Sequence, residues 1–392
     1  MSERIVIKEI CEVYDGPHAT PKKTVDGPVY LGIDAITDDG KINAKEFAHL
    51  SEEDYIKWTK RVTPQYGDIV FSYEATLGRY ALIPKDFYGC LGRRLAIIRN
   101  VSKDIDTLWL YYYFLSPEWK QFIQSKIIKG STVNRISVED FPTYTVPNIS
   151  IKVQRKIANI LSKIDEKIAL NNNINDNLEQ QAKLIYDYWF TQFDFPDKNG
   201  KPYCSSGGKM VWNEQLKRNI PENWNVVPLL KLVSWESNSQ PPKSEFVYEP
   251  KEGYVRFIQN RDYDSDTHIT YIPRTKNLSI VDRFDILMDK YGDAGAVRYG
   301  IEGAFNVALG KICVHNPNYR EYIRSFLGSD GIYKFLHNSC MASTRASLSE
   351  ANLAILNVVV PDEKIILDYE NFLHKIRVSI LKNKDETVEL IN

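Results

Sequence analysis

The sequence has few of the features that build metal sites, disulfide frameworks or membrane spans. Its five cysteines form no Cys-x-x-Cys pair, and no histidine stands at ligand spacing. This pattern argues against a zinc site and favours free thiols in a reducing compartment. No signal peptide opens the chain, and an apolar run of about 18 residues is missing. We therefore predict a cytoplasmic protein with no metal and no membrane partner.

Recognisable catalytic motifs are missing as well. An adenine methyltransferase would need a [DN]-P-P-[YF] motif, whereas residues 316–319 read Asn-Pro-Asn-Tyr and follow no glycine-rich cofactor loop. A nuclease of the P-D…E-x-K type is not supported, because Glu-x-Lys follows neither Pro196-Asp197 nor Pro361-Asp362. The six histidines show no acid–base pattern, and no Walker loop occurs. We predict that the chain has no catalytic residues.

An excess of basic charge is also absent. The chain carries 50 Lys and Arg against 51 Asp and Glu. Residues 1–148 contain 19 basic and 20 acidic side chains, and residues 193–361 contain 20 and 19. Any nucleic-acid contact would therefore need a one-sided arrangement of charge, or help from partner proteins.

One long stretch, residues 151–190, contains neither proline nor glycine. A continuous helix of that length would run roughly 60 Å at ~1.5 Å per residue, which is longer than a small domain is wide. Apolar residues recur at alternating spacings of four and three, as in a helix packed along another helix. The competing interpretation is a core helix of one large domain, against which the two asparagines of the seam argue. The seam contains Ile157, Leu161, Ile164, Ile168, Asn171, Asn175 and Leu178.

The C-terminal stretch repeats this seam at an offset of 212 residues. The same offset aligns Ser131-Thr132 with Ser343-Thr344, and an offset of 217 aligns Gly78 with Gly295. An offset of 218 aligns Leu91-Gly92-Arg93 with Leu309-Gly310-Lys311. We predict two copies of one unit, each a globular part followed by a long helix. The second seam contains Tyr369, Leu373, Ile376, Ile380, Asn383, Thr387 and Leu390.

Within the first copy, alternating and β-branched patterns predict strands at 29–33, 68–72, 95–98 and 144–146. A helix is expected from Leu108 to Ile123, with a restart at Ser116-Pro117. We interpret its many aromatic side chains as core residues rather than as a platform for stacking bases. Residues 191–227 are rich in Pro, Gly and Ser, and they predict a polar linker. Antiparallel helices would place the globular parts at opposite ends, which suits duplex DNA with half-sites ~34 Å apart.

The residues of the long helix and the linker resemble a known family. The run Gln154-Arg155-Lys156-Ile157-Ala158, its continuation to Trp189-Phe190, and the linker run from Asp197 to Val211 are similar to the specificity subunit of Type I restriction–modification systems. The resemblance implies an α+β fold, in which two pseudo-repeated mixed α/β target recognition domains are joined by two long antiparallel coiled-coil spacer helices. The expected bounds are 1–148 and 193–360 for the domains, the second including its linker, and 149–192 and 361–392 for the helices.

The resemblance also implies a function. Each domain would read one half of a split double-stranded DNA site, while two methyltransferase subunits dock on the chain and bring S-adenosylmethionine. Restriction or translocase subunits would join them, and this chain would bind no cofactor itself. The alternative is a stand-alone DNA-modifying or cleaving enzyme with an unrecognised site.

Basic, amide and aromatic side chains on loops near strand ends are the natural candidates for DNA contacts. In the first copy we predict Lys22, Lys23, Tyr73, Arg79, Arg93, Arg94, Asn134 and Arg135. In the second copy we predict Lys243, Arg261, Lys290, Tyr291, Arg298 and Arg345.

Overall fold

The computed structural model describes residues 3–130, 133–264, 268–341 and 347–391 of the chain. The chain divides into two compact units, Met1–Glu166 and Lys167–Asn392. The Ser-Thr pairs that the 212-residue offset aligns, at 131–132 and 343–344, lie outside the described residues.

The first unit combines short strands with helices, and its last helix continues into the second unit. The strands are β1 (Arg4–Val6), β2 (Cys11–Asp15), β3 (Thr24–Leu31), β4 (Ala48–His49), β5 (Ile69–Ser72), β6 (Tyr80–Leu82), β7 (Gly89–Leu91), β8 (Leu95–Asn100) and β9 (Thr145–Pro147). The helices are α1 (Glu52–Trp58), α2 (Thr107–Leu115), α3 (Pro117–Lys126) and α4 (Ile151–Tyr186).

The main sheet of the first unit has the antiparallel order β2-β8-β5-β6. A smaller sheet has the order β4-β3-β7, with β3 and β7 parallel, and β1 pairs with β9. The main sheet is buried on both faces, because Ile69 and Phe71 pack with the aromatic helices while Val70 packs with Leu31 and Leu91 of the smaller sheet. Burial on both faces explains why its central strands are continuously apolar rather than alternating.

The aromatic helix is interrupted where the sequence predicts. The Ser116 hydroxyl accepts a hydrogen bond from the Trp119 backbone N–H at 3.2 Å, and Pro117 occupies the first position of α3. Serine at the N-cap followed by proline is a favoured helix start. Phe114 and Trp119 are fully buried, and the Trp119 indole donates to the Tyr80 hydroxyl at 2.8 Å. These aromatic side chains form the core, as we interpreted them.

The second unit contains the folded connection, a second domain and the second long helix. Its strands are β10 (Met210–Asn213), β11 (Arg218–Pro221), β12 (Asn225–Pro228), β13 (Val233–Glu236), β14 (Tyr254–Ile258), β15 (Tyr271–Pro273), β16 (Ile280–Val281), β17 (Ile286–Asp289), β18 (Val297–Arg298), β19 (Gly303–Phe305), β20 (Leu309–Val314) and β21 (Asn357–Val360). Its helices are α5 (Arg320–Leu327), α6 (Asp330–Met341), α7 (Glu350–Leu353) and α8 (Glu363–Ile391).

Sheet topology shows that the two domains repeat one fold. The sheet β13-β20-β17-β18 has the connectivity of β2-β8-β5-β6, and β15-β14-β19-β16 contains the same antiparallel and parallel pairings as β4-β3-β7. The pair β12–β21 corresponds to β1–β9. Even single hydrogen bonds recur: Gly78 N–H donates to Ser72 O, and Gly295 N–H donates to Asp289 O, both at 2.9 Å. The predicted internal repeat is therefore present in three dimensions.

One of the sequence matches is wrong. Leu91 is the last residue of β7, whereas Leu309 is the first residue of β20. The structural equivalent of Leu309 is Leu95, because these two leucines pair with Asp289 and Ser72, the last residues of the matching central strands. The local offset is thus 214 rather than 218, and the shared Leu-Gly dipeptide lies on opposite sides of the turn between the two strands.

The connection between the domains is folded and partly apolar rather than a polar linker. Phe193, Phe195 and Trp224 are each at most 5% exposed and pack in the core of the second unit. The Phe195 ring stacks on Trp224 with centroids 4.7 Å apart. The Asp194 carboxylate accepts hydrogen bonds from the backbone N–H and hydroxyl of Ser205, and these bonds lower the pKa of Asp194. The connection therefore belongs to the second unit's core.

Helices α4 and α8 run antiparallel within the second unit. The Asn171 amide donates to Thr387 Oγ1 at 3.4 Å, and the Asn383 amide donates to Asn175 Oδ1 at 2.9 Å. Just beyond the end of α4, Trp189 packs against Tyr369 with ring centroids 5.7 Å apart. As the residue number increases along the first helix, the number of the contacting residue on the second helix decreases, which shows that the two helices are antiparallel. Asn171 and Asn383 occupy equivalent positions in the two repeats. The hydrogen-bonded polar residues of the two seams therefore meet at equivalent positions of α4 and α8.

Two details of the long helices differ from the sequence prediction. The α-helix of α4 ends at Tyr186 and continues as a π-helical turn over Asp187–Thr191, which holds Phe190 in the core. A π turn takes in an extra residue and rotates the side chains that follow it. At the other end, Ile157 is 37% exposed. Near this end of α4, the residues buried in the first unit are Gln154 and Ala158, and the predicted seam residue Ile157 is not among them.

The remaining seam residues follow the predicted stripe. Ile168, Asn171 and Asn175 are buried on α4. On α8 the buried residues are Tyr369, Leu373, Ile376 and Ile380, and the half-buried residues of the two seams are Leu161, Ile164, Leu178, Asn383, Thr387 and Leu390.

Candidate nucleic-acid interface

Several loops of the first domain meet at one end of its main sheet. Gly16, which follows β2, donates its backbone N–H to Leu95 O at 3.0 Å. The backbone N–H of Tyr73, which follows β5, donates to Arg94 O at 3.1 Å, and the Tyr73 carbonyl accepts from Ile136 N–H at 2.8 Å. The loops after β2 and β5, the turn before β8 and the segment near residue 135 are therefore neighbours. They carry Lys22, Lys23, Tyr73, Arg79, Arg93, Arg94, Asn134 and Arg135, all of the predicted residues of this domain.

The side chains at this end differ in their availability for a ligand. The exposed ones are Lys22, Lys23, Arg93, Asn134 and Arg135. Arg79 is held by the Asp38 carboxylate at 2.6 and 3.2 Å and by Ile36 O at 3.0 Å. Arg94 lies 3.4 Å from Glu74, and its φ of +75° places it in the left-handed region.

Tyr73 is a correction to the predicted set. Its side chain is only 6% exposed and belongs to the aromatic core. Burial, followed by the nearby Asp15 carboxylate, raises the pKa of the Tyr73 phenol. A neutral, enclosed phenol supports the loop through packing, so the candidates for a contact at this end are the exposed cations and Asn134 around it.

The second domain repeats this sheet end with different residues. Lys290 occupies the position of Tyr73: its N–H donates to Ala308 O at 2.8 Å, and its carbonyl accepts from Leu348 N–H at 3.0 Å. Tyr291 beside it is 49% exposed. Lys243 is exposed in the segment after β13, and Arg261, with a side chain 54% exposed, follows β14. Arg345 lies outside the described residues.

Arg298 is engaged in an internal ion pair. Its guanidinium lies 2.8 Å from the carboxylate of Asp289, which is only 1% exposed. Desolvation raises the pKa of Asp289 although Arg298 opposes the shift. Because a buried carboxylate needs a cation beside it, we assign Arg298 a structural role in place of the predicted DNA contact.

The second unit contains a buried charged cluster that the sequence analysis did not predict. Glu321 is fully buried, and Arg324 and Arg377 are 2% and 5% exposed. Arg324 and Arg377 donate to the Glu321 carboxylate at 3.0–3.1 Å. Burial raises the pKa of Glu321, but the two arginines outweigh it and lower the pKa overall. The cluster joins α5 to α8.

Glu370 on α8 adds a group that titrates near neutrality. Its carboxylate accepts the backbone N–H of Glu321 at 2.8 Å, and burial raises its pKa from 4.5 to about 7. In the folded chain it therefore keeps its proton to higher pH than in the unfolded chain. The stability contributed by this group is complete below pH 4.5 and is lost as the pH rises through about 7.

We expect Glu370→Gln to raise the free energy of unfolding at pH 8 by about 1–2 kcal/mol and to leave it unchanged near pH 4.5. Partial exposure reduces the effect below the roughly 3 kcal/mol of a full shift. The glutamine carbonyl can still accept the Glu321 N–H. Urea unfolding at both pH values measures the difference, and an equal change at both would contradict the titration of Glu370.

The described ranges contain neither a candidate metal site nor a candidate membrane span. Among those residues, no group of three or more His, Cys, Asp or Glu side chains is placed to hold a metal ion. None of the helices in the same ranges has the length and apolar character that crossing a lipid bilayer requires.

Comparisons with known proteins agree with the repeated fold. Residues 2–180 match the type I restriction modification DNA specificity domain. The type I restriction enzyme MjaIX specificity subunit of Methanocaldococcus jannaschii is 22% identical over 359 residues, covering 87% of this chain and 78% of that protein. The putative MjaX specificity subunit of the same organism is 26% identical over 326 residues, covering 79% and 69%.

A solved structure extends the likeness to the whole fold. The S subunit of a type I restriction–modification system from M. genitalium superposes with a TM-score of 0.59 at 15% identity, covering 99% of this chain and 92% of that one. Residues 2–180, which comprise the first domain and most of α4, are thus similar to the DNA specificity domain of type I restriction–modification systems. The chain as a whole has the fold of that S subunit.

Proposed function

We propose that each repeated domain reads one half of a split double-stranded DNA site through the sheet end that carries its exposed cations. The observation that supports this most directly is the recurrence of the same sheet end in both domains, down to the hydrogen bonds of Tyr73 and Lys290. Arginine and lysine contact phosphates and guanine edges, and asparagine is suited to adenine. In the first domain Arg93, Asn134 and Arg135 are our candidates for base contacts.

We infer further that the chain carries out no chemistry itself. Two methyltransferase subunits would dock on it and supply S-adenosylmethionine, and restriction or translocase subunits would join the same complex. The balanced charge of the chain supports the need for such partners, because 50 basic and 51 acidic residues leave no net attraction to DNA.

The first test is methyl transfer from S-adenosylmethionine to DNA. The purified chain alone should transfer no methyl groups, and the chain mixed with its methyltransferase subunit should methylate adenines in a split sequence. Methylation by the chain alone would favour the alternative of a stand-alone enzyme.

The second test concerns the independence of the two readers. Replacing residues 1–148 by the first domain of another family member should change one half of the methylated site and leave the other half as it was. Mapping of methylated adenines measures this, with a replacement by the wild-type segment as the control. A change in both halves would contradict two independent readers.

A further inference from the structure

The smaller sheet of the second domain, β15-β14-β19-β16, has little core of its own. Its apolar side chains form two small clusters, one around Phe257 and Ile272, and one in which Ile258 and Phe305 pack with Leu287 of β17 and Leu309 of β20. Neither cluster includes a residue of α4 or α8. The first cluster packs this sheet against β17 and β20, and its direct attachment to the helix pair is made by polar contacts of the segments that connect it to β17 and β18.

The first of these contacts is made by Arg283, which lies between β16 and β17. Its guanidinium forms a two-pronged ion pair with Asp385 of α8, with distances of 2.8 and 2.7 Å. Its Nε donates to Gly300 O at 3.1 Å, and Gly300 N–H donates back to Arg283 O at 2.9 Å. Gly300 has a φ of +99°, and a Cβ there would lie 3.1 Å from Leu381 of α8. Both connecting segments thus lie directly against the helix.

The second contact is made by Tyr299, between β18 and β19. Its hydroxyl bonds the Glu179 carboxylate of α4 and accepts from Arg377 of α8 at 3.1 Å. The guanidinium groups of Arg324 and Arg377 lie 4.7 and 4.9 Å from its ring centroid, and the Lys384 ammonium lies 5.5 Å away. Cations over a tyrosine face are attracted by the ring quadrupole. Tyr299 therefore ties this part of the domain to both long helices.

The first domain has no equivalent of either contact in its sequence. The offset of 217 that aligns β17 with β5 and β18 with β6 places Tyr66 at the position of Arg283 and Leu82 at that of Tyr299. Neither residue can form an ion pair, and leucine has no hydroxyl. The two-point attachment, which we call the clamp, is formed by Arg283–Asp385 and Tyr299–Glu179 and is a property of the second domain.

We propose that the clamp determines how strictly the protein selects the length of the unread spacer between the two half-sites. This inference rests on the proposed function. One extra base pair moves a half-site by ~3.4 Å along the duplex and turns it by roughly 34° around the axis, since a turn contains about 10.5 base pairs. A sheet held to the helices at two points resists both displacements. Arg261, one of the candidate DNA contacts, follows β14 of the clamped sheet. A displacement that the clamp resists is therefore also a displacement of a candidate DNA contact.

The experiment measures methylation by the complete complex on a set of DNA duplexes. These contain the half-sites recognised by the wild type, with the natural spacer or with a spacer one or two base pairs shorter or longer. The variants are Arg283→Ala, Tyr299→Phe and the charge exchange that combines Arg283→Asp with Asp385→Arg. Lys57→Ala is the matched control, because it removes an exposed ion pair with Glu53 in the first domain.

We expect Arg283→Ala to raise methylation of the one-base-pair-altered sites by about tenfold relative to the natural site. Tyr299→Phe should act in the same direction, because it removes the bond to Glu179 and keeps the ring. The charge exchange should restore selection, Lys57→Ala should match the wild type, and the bases read in each half should not change. A merely destabilised domain would lose activity on all spacers equally.

Three outcomes overturn the proposal, and they are distinguishable. Wild-type selection retained by active Arg283→Ala and Tyr299→Phe complexes refutes the clamp while leaving the split-site function intact. Loss of all methylation by Arg283→Ala that the charge exchange does not restore counts against it equally. A wild-type complex that methylates no split site refutes the proposed function and the clamp with it.

Discussion

Replacing Arg377 by leucine is expected to lower the free energy of unfolding of the second unit by about 3 kcal/mol. Arg377 is 5% exposed, and it donates to the fully buried Glu321 at 3.0 Å and to Glu179 of α4. Leucine fits the buried position but leaves both carboxylates without this partner. Removing one member of a buried ion pair typically costs about 3–5 kcal/mol. We expect the lower end, because Arg324 still neutralises Glu321.

Urea unfolding at pH 7, followed by tryptophan fluorescence, measures this loss. Lys375→Leu is the control, since it makes the same substitution of charge by leucine at an exposed position of the same helix. The control should change the free energy of unfolding by no more than about 0.5 kcal/mol. A loss below about 1 kcal/mol for Arg377→Leu would show that the cluster contributes little to holding α5 and α8 together.

The sequence predicts the helix pair well because that information is local. The seam spacing, the two asparagines and the lack of proline and glycine all lie within one stretch, and the 212-residue repeat supplies the second helix. The buried cluster could not be predicted in the same way. Glu321 and Arg377 are 56 residues apart, and each looks like an ordinary surface charge on an amphipathic helix. Only the packing of α5 on α8 brings them together.

The folded connection shows a different limit. Its Pro, Gly and Ser content correctly predicts turns, but turns are compatible with a compact, buried arrangement as well as with a polar linker. Phe193, Phe195 and Trp224 were the available signal, because aromatic side chains are rarely left in water when a core lies nearby. The structure places all three in the core of the second unit.

The sequence was sufficient to predict which loops form the candidate interface. It was not sufficient to predict which side chains on those loops are free to contact a ligand. Strand ends identify which loops meet at one end of a sheet, and those loops carry the basic residues. Which cations are already neutralised depends on distant acids. Arg79 is bound by Asp38, 41 residues away, and Arg298 by Asp289 on a neighbouring strand. Lys22, Lys23, Arg93 and Arg135 remain exposed, and their contacts with DNA remain a prediction.

Lengthening the helix pair is expected to lengthen the unread spacer of the target by about three base pairs. The insertion is one heptad in α4 between Asn171 and Asn175 and one in α8 between Asp385 and Glu386. On one side of the insertion Asn171 keeps its bonds to Glu386 and Thr387, and on the other Asn175 keeps its bond to Asn383. Asp385 also stays with Arg283. Seven residues add ~10 Å at ~1.5 Å per residue, which corresponds to about three base pairs at ~3.4 Å each.

The register of the insertion determines whether this test is informative. Seven residues complete one heptad and preserve the apolar seam, whereas a matched insertion of five residues in each helix would turn the seam away from its partner and should abolish methylation. The heptad variant, assembled with its methyltransferase, should read the same bases in each half and place them about three base pairs further apart. Mapping of methylated adenines decides the outcome. An unchanged spacer in an active complex would mean that DNA bending or the partner subunits set the distance, and that the helices do not act as the ruler.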